Sequence, residues 1–261
     1  MSSLLKVDKA VKRFGGITAV DGVELEVKEG QVVGLIGPNG SGKTTVLNVI
    51  TGVYKPEEGK IIFNGEEIQG MAPHTIVEKG IGRTFQNIRL INSQTVFDNV
   101  WLGHHVNSKL NIFDIILKTR REKEELKQVR EEIEEVLDFI GLLSIKDEYI
   151  GNIPYGQKKI LEIGRALMAK PKLLLLDEPA AGLNNTESRE LVQIVKKINQ
   201  KGISILLIEH EMEFVQGLAE RVYVLDHGKK IAEGTFAECT NNPLVIEAYL
   251  GTGRGDKNAE N

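Results

Sequence analysis

Hydrophobic positions follow three different rhythms along this chain of 261 residues. From Leu4 to Ile36 the apolar residues come in short extended segments broken by glycine, "FGGITAV", "VELEVKEG" and "VVGLI". Strict alternation in "GVELEV" puts side chains on two faces in turn, the signature of half-buried strands. In "GKIIFNGEEI" (59–68), Asn64-Gly65 separates two strand-like runs, because both residues tolerate the positive φ of a tight hairpin. The front of the chain therefore reads as antiparallel strands flanking one buried strand, Val32–Ile36.

Between 92 and 150 the period lengthens. Leu126, Val129, Ile133, Val136, Leu137 and Ile140 recur at steps of three and four, which predicts an amphipathic helix. The charges of "RREKEELKQVREEIEE" are its solvated face. After 157 helices alternate with all-apolar strands: helix 158–169 before strand 173–176, helix 186–200 before strand 203–208, and helix 211–220 before strand 221–225. Strands with no polar face need cover on both sides, so this half reads as a parallel sheet between helices. The closing "GTGRGDKNAEN" (251–261) reads as a frayed tail.

Composition narrows the class. With 41% hydrophobic and 27% charged residues the chain suits one large domain, or two unequal lobes sharing a core. A net charge of −4 speaks against nucleic acid as the main partner, since phosphate-binding faces are basic. The single Cys239 excludes an internal disulfide framework. The start, "MSSLLKVDKAVKR", reaches charge too early for a signal peptide. No apolar run approaches the ~18 residues that span a bilayer, so work at a membrane would go through a partner.

Chemistry concentrates at two strand ends. After Val32–Ile36 come Gly37, Pro38, Asn39, Gly40, Ser41, Gly42, Lys43, Thr44 and Thr45, and "KTTVLNVITG" then reads as a helix. Glycines let backbone N–H groups wrap an anion, and the helix N-terminus adds partial positive charge. Lys43 would reach the β- and γ-phosphates of a nucleoside triphosphate, and the Thr44 hydroxyl would ligate Mg²⁺. In "LLLLDEP" (173–179), Asp177 and Glu178 stand at the ligand-facing end of a buried strand. Asp177 would hold Mg²⁺ through water, and Glu178 would polarise the attacking water. His210 ends the next strand, "ISILLIEH"; in isolation it reads as a capping or exposed histidine, and beside these acids it could reach the γ-phosphate or the water. His74, His104 and His105 have no comparable setting, and Trp101 reads first as core.

The order of these motifs resembles the ATP-binding-cassette family over roughly residues 4–250: phosphate loop, "RTFQN" with Gln86, "IPYGQ" (153–157), "LLLLDEP", "AGLN" (181–184), then His210. The resemblance implies an α/β fold. A P-loop NTPase core, RecA-like, with a mostly parallel sheet and helices on both faces, would occupy 1–91 and 158–250. It would carry an N-terminal antiparallel β subdomain and a helical insert, 92–157, ending in the signature. The resemblance further implies that Gln86 senses Mg²⁺ and water, and that Gly156 and Gln157 bind the γ-phosphate held by a facing subunit. It implies that Phe14 stacks on adenine, although on sequence alone an aromatic residue there reads first as core. Such chains pair head to tail around two ATP molecules. They drive integral membrane permease subunits from the cytoplasmic face, and indirectly serve an external substrate-binding protein.

A finer resemblance, to ATP-binding subunits of branched-chain amino acid importers, rests on the long insert, "DEPAAGLN", and the closing "AEGTFAECTNNPLVIEAYLG". An ATPase subunit of a lipid or lipopolysaccharide exporter would share the motor chemistry. A soluble cassette ATPase acting on ribosomes or DNA usually carries two cassettes or a long coiled coil, and this chain has one phosphate loop. Two positions depart from the family pattern. Pro154 and Tyr155 replace the serine and first glycine of the signature, and Asn184 replaces an aspartate. Proline lacks both N–H and hydroxyl. A working pair with a different, fuller-signature ATPase subunit is the expectation, with an identical partner as the other outcome.

Overall fold

The structure, a computed structural model, describes residues 2–107 and 120–251. The expected tail beyond Gly251 and the middle of the insert, 108–119, lie outside the described residues. At the front, β1 (Ser3–Phe14) and β2 (Ile17–Lys28) pair antiparallel across Gly15-Gly16. The sequence suggests several short strands here; the structure has two strands of 12 residues each. Register shifts absorb the interruptions without ending the strands, one of them where Lys9 turns to φ 48° between Val7 and Ala10. The other edge of β1 pairs with β4 (Glu58–Phe63), which turns through Asn64 (φ 49°) and Gly65 (φ 81°) into β5 (Glu66–Glu67).

The second sheet runs in the order β10-β9-β3-β8-β7-β6. Its members are β3 (Val32–Ile36), β6 (Ile81–Arg83), β7 (Leu173–Asp177), β8 (Ser204–Ile208), β9 (Arg221–Asp226) and β10 (Lys229–Gly234). All neighbours pair parallel except the edge strand β10. Successive side chains leave a strand on opposite faces. Val33, Leu35, Leu173, Leu175, Leu206 and Ile208 therefore join one apolar cluster, which includes the antiparallel sheet and helix α1 (Lys43–Ile50). Val32, Ile36, Leu174, Leu176, Ile205 and Leu207 join the other, which includes the insert and the later helices.

A short α2 (Pro73–Glu78) precedes β6, and a Thr95–Asp98 capping box starts α3 (Val96–Trp101). The amphipathic period becomes α4 (Arg120–Phe139). Val129, Ile133, Leu137 and Ile140 are buried and Val136 packs against them, while Leu126 stays exposed. Helix α5 (Tyr155–Leu167) begins three residues before the expected 158, because Pro154 takes the N-cap with φ −57°. Helices α6 (Asn185–Gln200), α7 (Met212–Leu218), α8 (Phe236–Thr240) and α9 (Pro243–Gly251) complete this layer. Asn184 caps α6, accepting from the N–H groups of Thr186 and Glu187. Among the described residues no helix is long and apolar enough to cross a membrane.

Candidate functional site

The strand β3 delivers the chain into the 37–42 loop, and two glycines there are obligatory. Gly37 sits at φ 150°, and a Cβ on it would lie 2.1 Å from the Leu225 carbonyl oxygen. Gly42, the N-cap of α1, sits at φ 102°, and a Cβ would lie 2.4 Å from the Ala19 carbonyl oxygen. No acidic residue stands in the first turn of α1 to compete for an anion. A cavity of about 280 Å³ is lined by Ala19, Asn39, Gly40 and residues 42–45, together with Gln86 and Glu178. Pro38 and Ser41 are buried behind it. A larger cavity, about 340 Å³, lies among Phe139, Leu167 and Ile198 and holds none of the predicted site residues.

Lys43 is buried, and its Nζ donates to the carbonyls of Gly37 and Pro38, each at 2.8 Å. Burial pushes its ammonium below the ordinary lysine pKa, while Glu178 and Asp177 oppose that shift. Gln86 Nε2 donates to Glu178 Oε2 at 2.8 Å. Glu178 adopts a left-handed backbone, φ 47°, and its N–H donates to the Ile208 carbonyl of β8. A non-glycine residue held there is strained, which places the carboxylate at the strand tip instead of in the sheet. His210 Nδ1 stands 3.9 Å from Glu178 Oε2 and 3.7 Å from Glu209 Oε2.

Asp177 ends β7 and is buried; its Oδ2 accepts from Arg83 Nη2 at 2.9 Å. Arg83 Nη1 also donates to Asn48 and Thr51 of the α1 region, so one guanidinium ties three segments. Asp177 Oδ1 has no hydrogen-bond partner. Thr44 and Gln86 line the cavity and Asp177 does not, so the residues present fit a small hard dication that keeps several waters, with the orphaned Asp177 oxygen free to accept from one of them. Among the described residues no cluster of three or more His, Cys, Asp or Glu forms a cage, and this mode needs none.

Phe14 is 42% exposed at the hairpin end, edge-to-face on Tyr54 with centroids 5.0 Å apart. This corrects the reading of it as core: the Gly15-Gly16 turn carries it past the sheet that would cover it. Gly156 is buried and Gln157 half-buried at the start of α5, and neither lines the cavity of their own chain. A Cβ on Gly156 would meet Glu187 Oε1 at 2.6 Å, and the Tyr155 ring lies over Gly182. Trp101 is half-buried against the core, edge-to-face with Phe97. Beside it a groove of about 290 Å³ is lined by Arg83, Phe85, Leu102, Gly103 and Arg165.

Four polar residues around this site have no role legible in the sequence: the half-buried Arg83 and the buried Lys159, Glu162 and Glu209. Glu209, fully buried, accepts from the N–H groups of Ala180, His210 and Glu211, and burial pushes its carboxyl above the usual range. Its only sequence signal is a charge inside an otherwise apolar strand end, "ISILLIEH".

A glycine-rich loop at a parallel-strand tip, with a lysine inside it and paired acids at a nearby strand end, defines a P-loop nucleoside-triphosphatase. Residues 20–181 match the ABC transporter family, and residues 229–254 match the family described as branched-chain amino acid ATP-binding cassette transporter. The chain belongs to the ABC transporter family and is one of its ATPases. The high-affinity branched-chain amino acid transport ATP-binding protein LivG of Salmonella typhimurium is 42% identical over 249 residues, 95% of this chain and 98% of its own. The crystal structure of an ATP-binding cassette of an ABC transporter in its ADP conformation matches with TM-score 0.84 and 34% identity, over 96% of this chain and 100% of that one. A dimeric cassette in a post-hydrolysis state, bound to ADP and Pi, matches with TM-score 0.74 and 26% identity, over 89% and 98%.

Proposed function

We propose that this chain is the ATP-hydrolysing motor subunit of an importer for branched-chain amino acids. The observation that carries the chemistry is the Gln86–Glu178 hydrogen bond at the cavity that also holds Lys43. Backbone N–H groups of 39–45 and the Lys43 ammonium hold the phosphates, and Phe14 stacks on the adenine. On binding, Lys43 exchanges the Gly37 and Pro38 carbonyls for phosphate oxygens, so that an ammonium–dipole contact becomes an ion pair with hydrogen bonds. Thr44, Gln86 and, through water, Asp177 would hold Mg²⁺, which when bound neutralises charge on the phosphates. Glu178 takes a proton from the attacking water, Gln86 orients that water, and His210 contacts the terminal phosphate.

The likeness to a dimeric cassette and the placement of Gly156 and Gln157 away from their own cavity support head-to-tail pairing. In such a pair each signature completes the site of the other subunit. The groove beside Phe85 and Leu102 would receive a permease helix, and a chain docked that way would work at the cytoplasmic face of the membrane. The amino-acid specificity rests on the names of the relatives and on the matched C-terminal segment, 229–254. The external substrate-binding protein is reached only through the permease, and no nucleic acid partner is implied. Two measurements test the reading. Glu178→Gln should bind ATP normally, lose turnover and accumulate as a closed pair; normal turnover would remove Glu178 as the base. Leucine uptake into vesicles holding the assembled transporter should require ATP and intact Lys43; uptake indifferent to Lys43→Ala would reject the motor assignment.

A further inference from the structure

Helix α5 carries a lysine whose ammonium ends on the backbone of the proposed hydrolytic site. Lys159 is only 4% exposed. Its Nζ donates to the Gln86 carbonyl at 3.0 Å and to the Glu178 carbonyl at 3.3 Å. About one turn further on, Glu162 Oε1 accepts from the Arg89 N–H at 2.7 Å, and a turn beyond that Arg165 Nη1 donates to the Arg89 carbonyl at 2.5 Å. A single helix face thus holds the Gln86–Arg89 loop at both ends.

Burying a lysine is costly unless its ammonium is paired, and here two backbone carbonyls accept from it. Desolvation pushes the Lys159 ammonium below its ordinary pKa, while Glu162, Glu209, Glu178 and Asp177 oppose that shift. What an apolar residue could not do is bridge two segments 92 positions apart in sequence whose side chains meet in one hydrogen bond. Residues Gly156 and Gln157, which face the partner's ATP in the proposed pair, begin the same helix. A displacement of the α5 N-terminus therefore carries Lys159, and both carbonyls, with it.

We propose that Lys159 is a positioning residue that fixes Gln86 against Glu178 and makes their geometry follow the movement of α5. The proposal deepens the functional reading above and rests on Glu178 being the base. It is tested on the full chain in the assembled transporter, with ATP binding, KM, kcat and melting midpoint measured for Lys159→Met, Lys159→Arg and Glu178→Gln. Lys159→Met should keep the ATP dissociation constant within about two-fold and lose about ten-fold or more in kcat; its melting midpoint should fall, because two carbonyls lose their donor, with the chain still folded at the assay temperature. Lys159→Arg, which keeps the charge and the N–H donors, should recover most of the rate. A wild-type kcat in Lys159→Met, a loss that arginine leaves unrepaired, or a loss seen in ATP affinity instead of kcat overturns the proposal. Glu178→Gln separates the two levels. If it turns over normally, the base assignment and this proposal both fall. If it is arrested while Lys159→Met is normal, only the role of Lys159 falls.

Discussion

Replacing Arg83 with methionine deletes a guanidinium that is 8% exposed and sits 2.9 Å from a carboxylate that is 2% exposed. Methionine retains most of the stem volume, so the change is chiefly electrical. It leaves Asp177 buried with neither oxygen paired, since Oδ1 has no partner to begin with. It also removes a donor from Asn48 and Thr51. Breaking one side of a buried pair costs about 3–5 kcal/mol. For a domain of this size that lowers the melting midpoint by about 6–20 °C. The Arg13–Glu58 pair has the same 2.9 Å separation, but its partners are 46% and 61% exposed. Arg13→Met should therefore cost about 1 kcal/mol or less, because water already screens that pair. Thermal unfolding of Arg83→Met, Asp177→Asn and the double variant closes a cycle that isolates the pair. A coupling of at least about 2 kcal/mol is expected. Equal losses for the Arg83 and Arg13 variants, or additive effects in the cycle, would refute the argument that burial decides the magnitude.

Two further predictions concern pH and the nucleotide base. Burial raises the Glu209 carboxyl above its ordinary value of 4.5. Its contribution to stability is therefore fully present below 4.5 and is lost as pH rises through the folded value, so the melting midpoint of wild type relative to the non-titrating Glu209→Gln should fall from pH 4 toward pH 7. A constant gap across that range would contradict the burial argument. Phe14→Ala should lower ATP affinity about two- to ten-fold, the worth of one aromatic stack, while shifting the melting midpoint by about 2 °C or less. Unchanged affinity would remove Phe14 from the adenine site.

What the sequence revealed depended on how local the signal was. The phosphate loop was legible because a run of apolar residues, three glycines and a lysine are contiguous, and strand–loop–helix is the one local solution for them. The Asn64-Gly65 turn was legible for the same reason. Arg83 was not, because its partner is 94 positions away and becomes a neighbour only when the edge strand β6 pairs with β7. Lys159 looked like one of two adjacent lysines in "GQKKILE"; only the helical period, which puts it on the face of Gly156 and Ile163, separates it from Lys158. In the sequence, Pro154 reads as a loss of signature chemistry and Asn184 as a loss of charge in the loop after Asp177 and Glu178. The fold gives both a second duty as helix N-caps, which a motif comparison does not register.

If the 37–45 loop and the β7 tip form one ATP site, a nucleotide-bound structure of Glu178→Gln will show both against the same phosphates. The Lys43 ammonium should have moved off the Gly37 and Pro38 carbonyls onto the β- and γ-phosphates, with loop amides around the phosphates and residue 178 beside the terminal one. Lys43 still bonded to those two carbonyls, with nucleotide held elsewhere on the chain, would contradict that single site.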